Sequence, residues 1–228
     1  MTDQTSVSDK LDGITEAEPR GKRLNDLDVI HHGPDRSGFN EILIKYRNRL
    51  KKVISMRINL QLQGRLDASD IIQDAYVEAS RTLDAYLEDP KIPVYLWLRH
   101  LVGEKLIQAH RFHLCAKKRQ ADREVSIHAK MPSANSHSIA AQLVGGISTP
   151  SQAAIRNENK RLLMEALDKM DDIDREVLVL RHFEQLTGRE TAIVLDMGHE
   201  AVKKRYIRAL EKLERSMKYL DDTSKIET

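Results

Sequence analysis

Between residues 39 and 213 the apolar side chains recur at steps of three and four, and nowhere do they sustain an alternation in steps of two. That period demands helices, because residues three and four apart share one helix face, whereas neighbouring strand residues point to opposite faces. The first stripe is Phe39, Ile42, Leu43, Tyr46, Leu50, Val53 and Ile54, with Lys45, Arg49 and Lys52 on the opposite side. A second stripe, Ile71, Ile72, Ala75, Ala79, Leu83 and Tyr86, opens at Asp67, a residue suited to capping a helix start. It ends at Asp89-Pro90 and Pro93. A third helix is expected over 94–114, with Leu98, Leu101, Val102, Leu106 and Ile107 facing inward.

The texture then changes. Lys117-Lys118-Arg119 leads into Pro, Ser and Gly-rich sequence up to Pro150, which reads as a linker with room for one short helix at 139–144. Helical patterning resumes at Ser151 and continues through stretches at 174–183, 188–195 and 199–219. The fold class expected is all-α, with two small helical domains joined by a flexible linker. The divisions are a polar extension (1–37), a first domain (38–118), the linker (119–150), a second domain (151–221) and a tail (222–228).

With three Phe and one Trp in 228 residues, the cores must be built mainly from aliphatic side chains. No apolar run approaches the roughly 18 residues of a membrane span, and 1–28 lacks the apolar segment of a signal peptide. A single cysteine, Cys115, excludes an internal disulfide framework and suits a reducing cytoplasm. Net charge is only +2, but the charge is segregated. Residues 1–36 carry eight acidic against five basic side chains, and 67–89 carry seven against one. Basic side chains outnumber acidic ones eight to three over 99–130 and seven to two over 202–218. Such blocks are either solvated helix faces or surfaces for two kinds of partner, a basic protein and a polyanion.

The sharpest local motif runs from Leu186 to Arg205. Thr187 and Glu190 have the spacing of a capping box, which starts a helix abruptly. Ala192 allows a close helix crossing, Asp196 and Gly198 suit a tight turn, and Val202 returns the next helix to the core. This is a helix-turn-helix pattern with a basic second helix. Its exposed positions are His199, Glu200, Lys203 and Lys204, with Arg205 and Arg208 placed to meet flanking phosphates. An antiparallel helix pair with a purely structural role shares the same spacing.

Residues 164–213, through Asp174-Arg175-Glu176-Val177-Leu178, Leu186-Thr187, Glu190, Ala192, Val202-Lys203 and Arg205, resemble the sigma-four domain of sigma-70 family factors. Asp67-Ala68-Ser69-Asp70-Ile71-Ile72-Gln73-Asp74-Ala75-Tyr76 resembles the core-binding helix of the sigma-two domain in the small extracytoplasmic-function (ECF) members of that family. The segment from Val94-Tyr95-Leu96-Trp97-Leu98-Arg99 to Arg111 resembles their promoter-melting helix. This chain has Thr191, Asp196 and Ala201 where the family usually has Ile, Gly and Thr, and Glu104 and Gln108 where it commonly has Asn and Asp.

The resemblance implies an initiation subunit that binds the β′ and β subunits of core RNA polymerase and directs promoter recognition. Core binding would fall to Asp67, Asp70, Ile71, Gln73 and Asp74, whose acidic face meets a coiled coil of β′. The minus-ten element would fall to Trp97, Arg99, His100, Arg111, Lys117, Lys118 and Arg119, although Trp97 equally suits a core position. The minus-thirty-five element would fall to the helix from His199 to Arg208, and the linker would thread the polymerase channel. An anti-sigma factor is a further partner the resemblance brings in. A stand-alone helix-turn-helix regulator that never joins polymerase is the alternative reading.

No nucleotide-binding loop or nucleophile elbow is present, so no catalytic residue and no cofactor are expected. His110, His113 and Cys115 spread over a wide arc of one helix without a fourth ligand, so no metal site is expected.

Overall fold

The computed structural model describes residues 37–62, 64–115, 131–144 and 153–226. The expected extension up to residue 36, the basic run Lys117, Lys118 and Arg119, and the side chain of Cys115 lie outside what it describes. The described residues form α1 (Ser37–Arg57), a 3₁₀ turn (Leu60–Leu62), α2 (Ala68–Glu88), α3 (Val94–Cys115) and α4 (Ser136–Val144). They continue as α5 (Ala153–Asp168), α6 (Asp172–Leu178), a π-helical turn (Val179–Phe183), α7 (Gly188–Leu195) and α8 (His199–Ile226). No strand occurs among them.

Two compact units divide between Ile42 and Leu43, inside α1, and the division does not fall in the expected linker. In the first unit, Phe39 and Ile42 are buried. The second unit, 43–228, holds everything else.

Within that unit the N-terminal helices pack as their stripes require. Leu50, Val53, Ile54, Ile72, Ala79, Leu98, Val102 and Leu106 are all essentially inaccessible. Asp67 caps α2 by accepting a hydrogen bond from the Ser69 N–H at 2.7 Å. The Tyr76 hydroxyl of α2 donates to the Leu43 carbonyl of α1 at 2.7 Å, and burial raises its pKa to about 12. Tyr86 stacks on Trp97 with ring centroids 4.3 Å apart, tying the end of α2 to the start of α3.

The expected linker is in part a structural component. Asn135 donates its side-chain amide to the Met56 and Ile58 carbonyls (3.1 and 3.2 Å), while its own carbonyl oxygen caps α4 through the Ser138 N–H at 2.7 Å. Ala134, Ile139 and Ala140 are buried in one cluster with Met56 of α1, Leu163 and Leu167 of α5, and Val179. The linker's middle therefore packs into the joint between the N-terminal and C-terminal helices, because its apolar residues cover the end of α1. Among the described residues no helix is long and apolar enough to cross a membrane.

Candidate nucleic-acid interface

The helix-turn-helix is α7 and α8. Thr187 caps α7 by accepting from the Glu190 N–H at 3.2 Å, and the Glu190 carboxylate accepts from the Thr187 N–H at 2.7 Å, completing the capping box. The turn is made by Asp196 alone, in the left-handed region at φ 52°, so Gly198 does not supply the conformation. The Met197 N–H closes the turn on the Ala192 carbonyl at 3.0 Å. Val202 is buried and anchors α8 as its position requires. Gly188 has a role that the sequence motif did not signal. A Cβ there would stand 2.6 Å from His199 Nε2, so the imidazole packs directly over the first turn of α7.

The start of α8 is exposed at His199, Glu200, Lys203, Lys204 and Arg208. Glu200 Oε1 lies 3.6 Å from His199 Nδ1, while the two lysines and Arg208 have no carboxylate partner among the described residues. Arg205 departs from the expectation. It pairs with buried Asp174 at 2.6 Å, and Lys212 pairs with the same carboxylate at 2.7 Å. Burial opposes ionisation of Asp174, but the hydrogen bonds from Lys212 and Arg205 outweigh it and hold the carboxyl below its usual range. Arg205 thus pins α8 to α6, and its guanidinium is engaged inside the protein. Arg181 braces the same assembly, donating to the Leu186 carbonyl at 2.6 Å with its guanidinium 5.5 Å from the Tyr206 ring centre.

Of the residues expected to face polymerase, Asp70, Gln73 and Asp74 are exposed on α2. Asp67 is exposed too, with its carboxylate committed to the cap. Ile71 is only 4% exposed and belongs to the core. Glu78, four residues beyond Asp74, is half-buried and bonded to Lys105 at 3.2 Å. Beside the acids, Arg47, Gln73, Tyr76 and Val77 line a groove, and Val77 is exposed at its edge.

The minus-ten residues are split. His100 and Arg111 are exposed, with Glu104 Oε1 3.4 Å from His100 Nε2. Trp97 is buried against Tyr86, and Arg99 is 6% exposed. In this conformation neither reaches solvent, because Trp97 fills the α2–α3 contact and Arg99 is held by acids from the C-terminal helices.

Those acids form a cluster that the sequence reading missed. Glu184 follows the π-helical turn, its side chain wholly buried. Its carboxylate accepts from Arg99 Nε at 2.6 Å and lies 2.8 Å from Arg57 Nη2, while its backbone carbonyl accepts from Arg49 Nε at 2.7 Å. Glu176 bonds Arg57 and lies 3.7 Å from Arg99. The Arg49 guanidinium sits 3.7 Å from the Tyr95 ring centre. Burial would raise the Glu184 pKa, but the charges of Arg57, Arg99 and Arg49 outweigh it and hold the carboxyl below its usual range. A signal existed: Arg57 continues the stripe of Leu50, Val53 and Ile54, and Arg99 lies between Tyr95 and Val102 on the apolar side of α3. Among the described residues no group of three or more His, Cys, Asp or Glu is placed to hold a metal.

Comparison with known proteins agrees with this geometry. Residues 166–215, which hold α6, α7 and the exposed start of α8, match the family model "Sigma-70, region 4". The RNA polymerase sigma-H factor of Pseudomonas aeruginosa is 24% identical over 187 residues, covering 82% of this chain and 89% of its own. The ECF RNA polymerase sigma-E factor of Escherichia coli is 23% identical over 192 residues, covering 82% and 90%.

Residues 166–215 carry a sigma-70 region 4 segment, and over 82% of its length the chain is similar to ECF RNA polymerase sigma factors.

A solved structure of CnrH in complex with the cytosolic domain of CnrY also aligns with this chain, over 86% of it and 97% of that one, at 22% identity and a TM-score of 0.48. The similarity to these relatives extends well beyond the helix-turn-helix, over 82% of this chain.

Proposed function

We infer that this chain is a sigma factor that binds core RNA polymerase and directs promoter recognition and transcription initiation in the cytoplasm, without catalytic chemistry of its own. The carrying observation is the start of α8. A capped, tightly turned helix pair presents Lys203, Lys204 and Arg208 on one open face, within the segment matched to sigma-70 region 4. Side chains at that end of a recognition helix reach base edges in the major groove, while the cations fix register on phosphates. His199, Glu200, Lys203 and Lys204 are assigned to the minus-thirty-five element, and Arg208 to its flanking backbone.

Asp70, Gln73 and Asp74 are assigned to core binding. The Asp70 and Asp74 carboxylates, without an ion pair among the described residues, stand near exposed Val77, so a partner helix with basic and apolar side chains could use both features. His100 and Arg111, exposed on α3, are assigned to the minus-ten element together with the run Lys117–Arg119, within a first lobe at 38–118 that serves core and minus-ten and a second at 151–221 that serves minus-thirty-five. An anti-sigma factor covering one of these faces is part of the same reading; the related CnrH is known in complex with the cytosolic domain of CnrY.

The test is a pair of charge reversals. Asp70→Lys with Asp74→Lys should abolish binding to core polymerase and leave thermal stability near wild type. Lys203→Glu with Lys204→Glu should leave core binding intact and remove use of the upstream element. Unchanged core affinity in the first variant, or unchanged promoter selectivity in the second, would overturn the respective assignment.

A further inference from the structure

Glu184 is held as a bound anion would be held. Its carboxylate is buried, comes from the C-terminal helices, and rests between Arg57 and Arg99 of the N-terminal helices, while Arg49 takes its carbonyl. Three guanidinium groups gather around two carboxylates, leaving a surplus of positive charge in the interior. Donor capacity is also left over: Arg57 Nε and Arg49 Nη2 are buried without a hydrogen-bond partner. Orphaned donors and a charge surplus favour any state in which these groups regain water or meet a better anion. A carboxylate offers two oxygens to this cradle; a phosphodiester offers tetrahedral oxygens and a full charge that Arg recognises well.

We propose that Arg49, Arg57 and Arg99 form a masked phosphate cradle for nucleic-acid backbone, which Glu184 occupies in the closed chain and vacates when the C-terminal helices swing away. The ionic contacts of the closure come from Glu184 and Glu176, and its apolar contacts from Met56 packed with Ala134, Ile139, Ala140, Leu163, Leu167 and Val179. The π-helical turn and the left-handed Gln185, at φ 54°, aim Glu184 inward directly ahead of the capping box of α7. Opening therefore exposes the cradle and adds it to the face of α8, which is already open. The binding-competent fraction of the free chain is small, and its apparent affinity for DNA falls by that fraction. The inference rests on the sigma-factor reading and adds to it a backbone-binding site that the closed chain hides.

Fluorescence anisotropy of the free full-length chain on a labelled duplex without promoter elements, titrated across salt, tests this. Glu184→Gln should bind several-fold more tightly than wild type, and its log–log salt dependence should be steeper by about one per arginine released. Adding Arg57→Gln and Arg99→Gln to that variant should cancel the gain. Where Glu184→Gln reduces helical content by circular dichroism, Glu176→Gln, whose side chain is 19% exposed, replaces it and should give a smaller gain of the same sign. An unchanged affinity in the folded acid variant, or a gain that survives removal of both arginines, would overturn the cradle. Core-dependent initiation by the wild-type chain is scored separately, so failure of the cradle and failure of the sigma-factor reading remain distinguishable.

Discussion

Asp174 and Glu184 are acids kept ionised in the interior by cations that come from distant parts of the chain. Both have folded-state pKa values below their ordinary ones. Their stabilisation is therefore complete above the ordinary carboxylate range near about 4 and is lost as the pH falls through the lower folded values. Wild type should show a melting temperature that drops steeply below about pH 4, and Asp174→Asn should show a shallower drop; identical profiles in differential scanning calorimetry would contradict this. At neutral pH Asp174→Asn should cost about 1–3 kcal/mol in urea denaturation, because a charge-assisted pair is replaced by weaker bonds. At this scale the sequence was partly legible. Lys203 and Lys204 are exposed where the motif puts them, but Arg205 could not be told from its neighbours, since its partner Asp174 is 31 residues away. Arg57 and Arg99 occupy apolar-stripe positions, which is the mark of a buried cation whose partner only the tertiary fold reveals.

Helix boundaries and the turn were the most legible features, because they depend on local chemistry. Thr187 and Glu190 form the capping box that their spacing announces, and Thr187→Ala should cost about 1 kcal/mol and weaken the helix-turn-helix without touching the exposed side chains of α8. Asp196 holds a left-handed conformation that an L-residue adopts reluctantly. Asp196→Gly should therefore be neutral or stabilising by up to about 1 kcal/mol, whereas Asp196→Val should destabilise by at least as much. Equal melting temperatures for the Gly and Val variants would show that the turn is not strained. The π-helical turn over Val179–Phe183 carries no such local signature, and its consequence, an inward Glu184, was invisible for that reason. The middle of the linker was misjudged on composition: Ala134, Ile139 and Ala140 are few and small, yet they cover the end of α1.

At the scale of the whole molecule, the run of helices was readable from periodicity, and the packing of the N-terminal helices against the C-terminal ones within 43–228 was not. Long-range ionic contacts and a packed connecting segment join residues 43–228 into one unit, and neither leaves a period in the sequence. The proposed function uses two surfaces: the acids of α2 for a protein partner and the lysines of α8 for DNA. The central claim is that one polypeptide couples these two surfaces to start transcription. The direct measurement is start-site mapping after the purified full-length chain is added to bacterial core polymerase on a library of genomic promoter fragments. The account predicts a stable complex with core and discrete new start sites that disappear with Asp70→Lys/Asp74→Lys. A chain that binds DNA but neither joins core nor yields a start site would contradict it.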